Sequence, residues 1–173
     1  PAPGDPLLQP EPGRVNWALA AHGSKATASS YLEEGGATYP PAGAIDGVRD
    51  DTGWGKGHGW TSRAGEPLPQ WLQVDFGQPR LLTHFVVITY QREASSETAG
   101  TWGVMDYQIE MWDDPINDWR SVVTESRGRA VKVRVHRLPE PTRTSKVRIV
   151  VRKVAPLDGQ ARLLQFEAWG VRK

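Results

Sequence analysis

The chain has 173 residues, enough for one ordinary domain that buries roughly 70% of its unfolded surface, and it contains no cysteine with which to staple itself. Its 21 basic and 20 acidic residues leave a formal net charge of +1. That balance argues against nucleic-acid binding, which calls for an excess of Lys and Arg to neutralise phosphates, and no apolar run approaches the roughly 20 residues that span a bilayer.

Residues 1–13 carry five prolines and read as an extended linker, either a tether to a neighbouring domain or an incidental remnant. Pro1 is not a native start, so the chain reads as an excised piece of a longer, secreted protein. From residue 14 to 173 short alternating runs lie between Gly, Pro and Asp. Residues 70–76 put Leu72, Val74 and Phe76 on one face. Residues 81–90 are mostly apolar, as in a strand buried on both faces. Residues 106–112 point Tyr107, Ile109 and Met111 one way. Residues 130–138 alternate strictly, with Val131, Val133 and Val135 inward and Lys132, Arg134 and His136 outward. Residues 145–154 repeat the pattern with Val147, Ile149 and Val151, and residues 163–171 close the chain. No 3.6-residue apolar period lasts beyond a turn or two, with a single helical turn expected at 41–45. Six or more short strands predict an all-β sandwich of antiparallel strands.

Six motifs stand in order: Asn16-Trp-Ala-Leu-Ala, Ala26-Thr-Ala-Ser-Ser, Ala44-Ile-Asp-Gly, Trp60-Thr-Ser, Trp71-Leu-Gln-Val-Asp-Phe-Gly and Phe166-Glu-Ala-Trp-Gly. Together they resemble the discoidin family, also called the coagulation-factor type C domain, which overlaps carbohydrate-binding module family 32. Trp54-Gly and Gly59-Trp60-Thr are similar to a bacterial branch. The resemblance spans about residues 15–170 and implies a galactose-binding-domain-like jelly roll of about eight strands, a structural Ca²⁺ ion, and ligand binding by loops at one end. Members of the family are mainly non-catalytic and bind galactosides, fucosides, other glycans, phospholipid head groups or proteins. Fold analogy names the class and leaves the ligand open.

For the metal, the resemblance implies carboxylates from Asp46 and Glu167, a hydroxyl from Thr52, and carbonyls near Gly43, Val48 and Phe166, roughly six oxygens, which suits calcium. The family often has one residue fewer after the Asp, so Asp50 or Asp51 is the alternative to Thr52. The residues themselves point partly the same way. Glu167 sits in an apolar strand where a carboxylate needs a partner, and Gly47 permits a tight turn. They allow another reading equally: Asp46 capping its own turn and Glu167 paired with an arginine.

Two stretches without strand character, residues 30–69 and 91–105, are rich in Trp, Gly, Arg and Tyr, and long loops of this kind are commonly functional. In Trp54-Gly-Lys-Gly-His-Gly-Trp60 glycines flank each large side chain, so Trp54, His58 and Trp60 read as exposed. An indole can cover the C–H face of a sugar while Arg or His meets its hydroxyls. Arg92 sits where the resemblance expects a ligand-binding arginine; Arg63 or His58 stands for the expected histidine. Tyr39 and Trp102 complete the candidate set. Against this, Trp60 and Trp71 adjoin strands and suit a core, and Trp17, Trp112, Trp119 and Trp169 suit packing. No HExxH, GxSxG or phosphate loop is present, and His22, His58, His84 and His136 lack metal spacing. The expectation is a non-catalytic, secreted module, bacterial and tethered to other domains, that binds a galactoside- or fucoside-like glycan. The alternatives are an adhesion or protein-interaction module and, last, an enzyme on a sandwich scaffold.

Overall fold

The computed structural model describes residues 9–90, 102–156 and 159–172. Within them the chain forms ten strands: β1 (Arg14–Asn16), β2 (Lys25–Ala28), β3 (Glu33–Glu34), β4 (Ala37–Thr38), β5 (Trp60–Thr61), β6 (Gln70–Thr89), β7 (Val104–Asp113), β8 (Asp118–Glu125), β9 (Val133–Val154) and β10 (Arg162–Val171). Among the described residues helix is confined to two 3-10 turns, Ala20–His22 and Pro41–Ala44. The second falls where a single turn is expected.

All strand pairs are antiparallel, and the fold is the expected jelly roll. One layer sets β2, the first half of β6, the second half of β9, β7 and β8 side by side. The other sets β1, β10, the second half of β6 and the first half of β9. The runs expected as separate strands are joined, because β6 and β9 each pass from one layer to the other. Irregularities between Asp75 and Arg80 and between Leu82 and His84 make the corner, as bulges do. β1 lies against the end of β10 through Arg14↔Val171 and Asn16↔Trp169. The Asn16 Oδ1 ties them by accepting from the backbone N–H groups of Ala18 and Ala168, both at 3.1 Å.

The core between the layers follows from the alternation: Leu72, Val74 and Phe76, then Ile109 and Met111, then Val147, Ile149 and Val151, all buried there with Phe85, Phe166 and Trp60. The second layer is covered on its outer face too. Val86, Ile88, Val133, Leu164 and Trp169 form a further cluster, against which Trp54, Tyr90 and Val135 pack. This is why the 81–90 run is mostly apolar and nearly all of β10 is buried without alternation.

Four expectations about orientation need correction. β9 begins at Val133, and Val131, in the preceding turn, is 39% exposed. His136 is turned in, its Nε2 2.6 Å from the hydroxyl of buried Tyr107, not outward. Arg134 is buried, not outward. Its guanidinium donates to the carbonyls of Met105 and Arg129 and lies 3.7 Å from Glu125, so the interior supplies its counter-charge. Trp71 occupies the outward phase of β6 between buried Gln70 and Leu72 and is half-buried, not core.

Two stability predictions follow from these contacts. Trp60 has no exposed surface, and its Nε1 donates to the Ser30 carbonyl at 2.9 Å. Trp60→Ala should therefore cost about 3–5 kcal/mol, measured as a lower urea midpoint; an unchanged midpoint would contradict this packing. Glu125 accepts from Arg127 Nε at 2.8 Å and Nη2 at 2.7 Å. Those hydrogen bonds outweigh burial and pull its carboxyl down to about 2 from the ordinary 4.5. A depressed carboxyl lends stability that is complete above its ordinary value and drains as pH falls towards the folded value. Thermal melts between pH 4.5 and 2 should accordingly show a shallower acid loss for Glu125→Gln than for the parent chain.

Candidate functional site

The ends of β6 and β9 and the starts of β7 and β10 meet at one end of the sandwich. Thr89, wholly buried, pins them: its Oγ1 donates to the Arg162 carbonyl at 2.8 Å and accepts from the Val104 N–H at 2.9 Å. Tyr90, Trp102 and Arg162 are thereby held beside one another. The β3–β4 hairpin reaches the same place. Its two turn residues, Gly35 and Gly36, both have positive φ, the requirement of a tight type I′ turn. Leu32 and Tyr39 flank it, with the Leu32 N–H on the Thr61 carbonyl at 2.9 Å and the Tyr39 N–H on the Leu32 carbonyl at 3.0 Å.

Between these elements lies a cavity of about 260 Å³ lined by Leu32, Tyr39, Trp54, Thr61, Tyr90, Trp102 and Arg162. Trp54 stacks on Tyr90 at 4.3 Å and 15° between planes, Tyr39 leans on Trp54 at 5.1 Å, and Trp102 meets Tyr90 edge-on at 6.3 Å. The Arg162 guanidinium lies over Trp102 at 4.3 Å and donates to the Gln160 Oε1 at 3.1 Å. The Thr61 Oγ1 is buried without a hydrogen-bond partner among the described residues. An unmet hydroxyl of this kind is costly unless something entering the cavity satisfies it. Aromatic faces with a hydroxyl and a guanidinium at the base can stack on a ligand's apolar face and bond its polar groups.

Of the expected ligand residues, the structure brings Tyr39, Trp54 and Trp102 to this cavity. Trp60 does not reach it; it is core. His58 is only 5% exposed, with Nδ1 2.8 Å from Asp46 Oδ2 and Nε2 2.6 Å from the Asp50 carbonyl. It anchors its loop and faces no ligand. Arg63 points to solvent, 63% exposed, with Glu66 3.9 Å away. Arg92 lies outside the described residues. Sequence reasoning missed Leu32, Thr61, Tyr90 and Arg162; of these only Tyr90, the aromatic closing an apolar run, gave a local signal.

The glycines of the 53–59 loop act otherwise than expected. Gly53, Gly55, Gly57 and Gly59 all have positive φ, so the chain coils back on itself and turns His58 and Trp60 inward. A Cβ on Gly59 would sit 2.1 Å from Cζ3 of Trp54. The indole rests directly on bare backbone.

The two carboxylates that the resemblance assigns to calcium are already engaged. The Glu167 carboxylate, 2% exposed, accepts from Arg49 Nε at 2.6 Å, Arg49 Nη2 at 2.8 Å and Trp169 Nε1 at 2.6 Å. Asp46 Oδ1 caps its own turn through the Val48 N–H at 2.9 Å and accepts from Gln165 Nε2 at 2.7 Å, while Oδ2 faces His58. The Gly43 carbonyl accepts from the Gly59 N–H and from Gln165 Nε2. Thr52 is exposed and closes a turn onto Asp50, and Phe166 sits in the β10–β6 ladder with its ring in the core. Among the described residues no three His, Asp or Glu side chains are grouped to hold a metal ion. As arranged, with a guanidinium against Glu167, this set does not fit a divalent cation. Gln165, fully buried and joining Gly43, Asp46 and Gly47, is the centre that sequence reasoning overlooked.

The described residues thus form a jelly-roll sandwich with an aromatic cavity among its end loops. The chain belongs to the F5/8 type C domain family, whose profile matches residues 25–163. Among solved structures it is similar to the family 32 carbohydrate-binding module of C. perfringens NanJ in complex with galactose, at 17% identity and TM-score 0.67, covering 90% of this chain and 98% of that one. Chitosan-binding module 1 of a chitosanase/glucanase from Paenibacillus sp. IK-5 gives 22%, 0.67, 90% and 99%. CpGH89 from Clostridium perfringens, in complex with GlcNAc-alpha-1,4-galactose, gives 18% and 0.65; 92% of this chain matches 15% of that much longer one. No curated protein sequence matches the chain.

The Trp54–Gly59 contact can be tested by comparing two substitutions. Gly57→Ala and Gly59→Ala both force a side chain into the left-handed region, at roughly 1–2 kcal/mol. Only Gly59→Ala also strikes the indole; nothing lies within 4 Å of a Cβ at Gly57. Gly59→Ala should be the more destabilising, and in NMR spectra it alone should shift the Tyr90 ring resonances. Equal effects would refute the contact.

Proposed function

We propose that this domain is a non-catalytic carbohydrate-binding module whose ligand, a terminal pyranose of an extracellular glycan, rests in the Trp54–Tyr90–Trp102 cavity. The observation that carries the reading is the cavity's lining: four aromatic rings around a hydroxyl with no partner among the described residues and a guanidinium. Stacking and hydrogen bonding are what such walls offer; an arginine does not exchange protons near neutrality. Ligand sites for drug-sized molecules run roughly 300–1,000 Å³, so about 260 Å³ suits one sugar ring better than an oligosaccharide. The fold neighbours add support. The NanJ module is in complex with galactose, and the Paenibacillus module is chitosan-binding. A galactoside or fucoside is the first class to test. A secreted bacterial protein with other domains fits a module of this kind, as CpGH89 illustrates by containing the same fold within a longer chain.

Covering about 100 Å² of sugar C–H surface contributes roughly 2.5 kcal/mol, and each hydrogen bond to Arg162 adds about 1.5–3 kcal/mol before ordering costs. The affinity should lie in the millimolar to micromolar range, which suits a tethered module acting through avidity. A glycan array followed by calorimetry tests the reading. Tyr39→Ala should weaken binding at least tenfold with little change in Tm, because the ring stands at the cavity's edge. Trp54→Ala should weaken it similarly but also destabilise, because the indole packs on the outer cluster. An array with no glycan bound would transfer the cavity to a protein partner.

A further inference from the structure

We infer that Arg49 is the resident cation of this domain: its guanidinium holds the 46–59 loop onto β10 in the place where the family resemblance puts calcium. The inference starts from Glu167. It lies on the outer face of β10, next to Trp169, where the covering loop leaves it 2% exposed. A carboxylate so buried requires an opposite charge and hydrogen bonds to both oxygens. Arg49 provides both at once. Its side chain is 29% exposed, so it reaches in from the surface rather than being buried whole. Nε and Nη2 meet the two carboxylate oxygens separately at 2.6 and 2.8 Å, the parallel fork that arginine makes with a carboxylate. The guanidinium carbon also lies 5.9 Å from the centre of the Trp169 ring, whose own Nε1 donates to Oε2. The counter-charge is thus in place, and three hydrogen bonds reach the two carboxylate oxygens.

Two further oxygen sources that a cation would need, Asp46 and the Gly43 carbonyl, are bonded to N–H groups of the loop and of β10. Asp46 receives Val48, Gln165 and His58; the Gly43 carbonyl receives Gly59 and Gln165. A divalent ion entering here would have to break these bonds and repel a guanidinium already in contact with its strongest ligand. Arg49 lies three residues after Asp46, on the stretch where the resemblance expects oxygen ligands.

The experiment uses the whole chain, with CaCl₂ as the probe. Melting temperature is measured after exhaustive chelation and again with millimolar CaCl₂, and calcium content is determined by elemental analysis. The parent chain should melt at the same temperature in both and carry no stoichiometric calcium. Arg49→Ala, which strands a buried carboxylate, should lower Tm by roughly 6–20 °C. If that variant does not fold, Arg49→Lys keeps the charge but loses the fork. It should fold with a smaller loss and stay indifferent to chelator. The double variant Arg49→Met/Glu167→Gln should recover much of the loss, as removing both members of a buried pair does. Calcium that raises the parent's Tm, or one calcium per chain, overturns the inference; so do Arg49 variants that melt like the parent. Glycan binding enters none of these readouts, so their outcome stands apart from the proposed function.

Discussion

Glu167 places a carboxylate on a strand that the protein covers on both sides, and much of the outer architecture answers to it. The first face of β10 belongs to the core between the layers. The second is buried only because the 46–59 loop lies across it, and that loop stays down through polar contacts: Arg49 to Glu167, Gln165 to Gly43, Gly47 and Asp46, and His58 to Asp46. The outer apolar cluster of Val86, Ile88, Leu164 and Trp169 would be open to water without it. Polar pairing and apolar burial are therefore coupled. Neither the cluster nor the ion pair is stable in place without the other, since an unpaired buried carboxylate is costly and an uncovered cluster forfeits its transfer free energy.

The cavity inherits its shape from that coupling. Trp54, in the covering loop before it turns back to β5, lies between the outer cluster and Tyr90. Its position is fixed from below by Gly59, which admits no side chain, and from the side by the strand ends that Thr89 joins. The aromatic wall is thus set by rigid strands and a clamped loop. A stacking platform held in this way loses little side-chain entropy when a ligand arrives.

Much of the sandwich was legible because period-two alternation is a local property. Leu72–Val74–Phe76, Tyr107–Ile109–Met111 and Val147–Ile149–Val151 needed no knowledge of their partners to be assigned a face. Arg134 and Val131 broke the pattern for non-local reasons: Glu125 waited inside for the one, and a turn took the other out of the strand. In the loop the misreading was physical. Glycines on both sides of His58 and Trp60 suggested exposure, yet four glycines at positive φ allow a coil tight enough to bury both. The partners that reward this burial, Asp46 for His58 and Ser30 for Trp60, lie 12 and 30 residues away. The cavity was half legible. Tyr39, Trp54 and Trp102 announce themselves as loop aromatics, whereas Thr61, Tyr90 and Arg162 sit at strand ends, and only the topology brings those ends together.

The difference between an attached cation and a bound one is thermodynamic. A bound ion stabilises in proportion to the logarithm of its free concentration over its dissociation constant, so a loop clamped by calcium would loosen wherever calcium is scarce. A guanidinium within the chain has no such dependence. Its order is set once by folding, and it is lost only when the pair is pulled apart. The geometries differ as well. Calcium accepts six to eight oxygens in a flexible shell, while a guanidinium presents a planar fork that fixes both distance and angle to one carboxylate. Because Arg49 lies only five residues before Trp54 in the chain, fixing its guanidinium on β10 restricts where the indole can go. With Arg49 as the cation, the ordering of the aromatic wall is a property of the sequence alone, indifferent to the ionic composition outside.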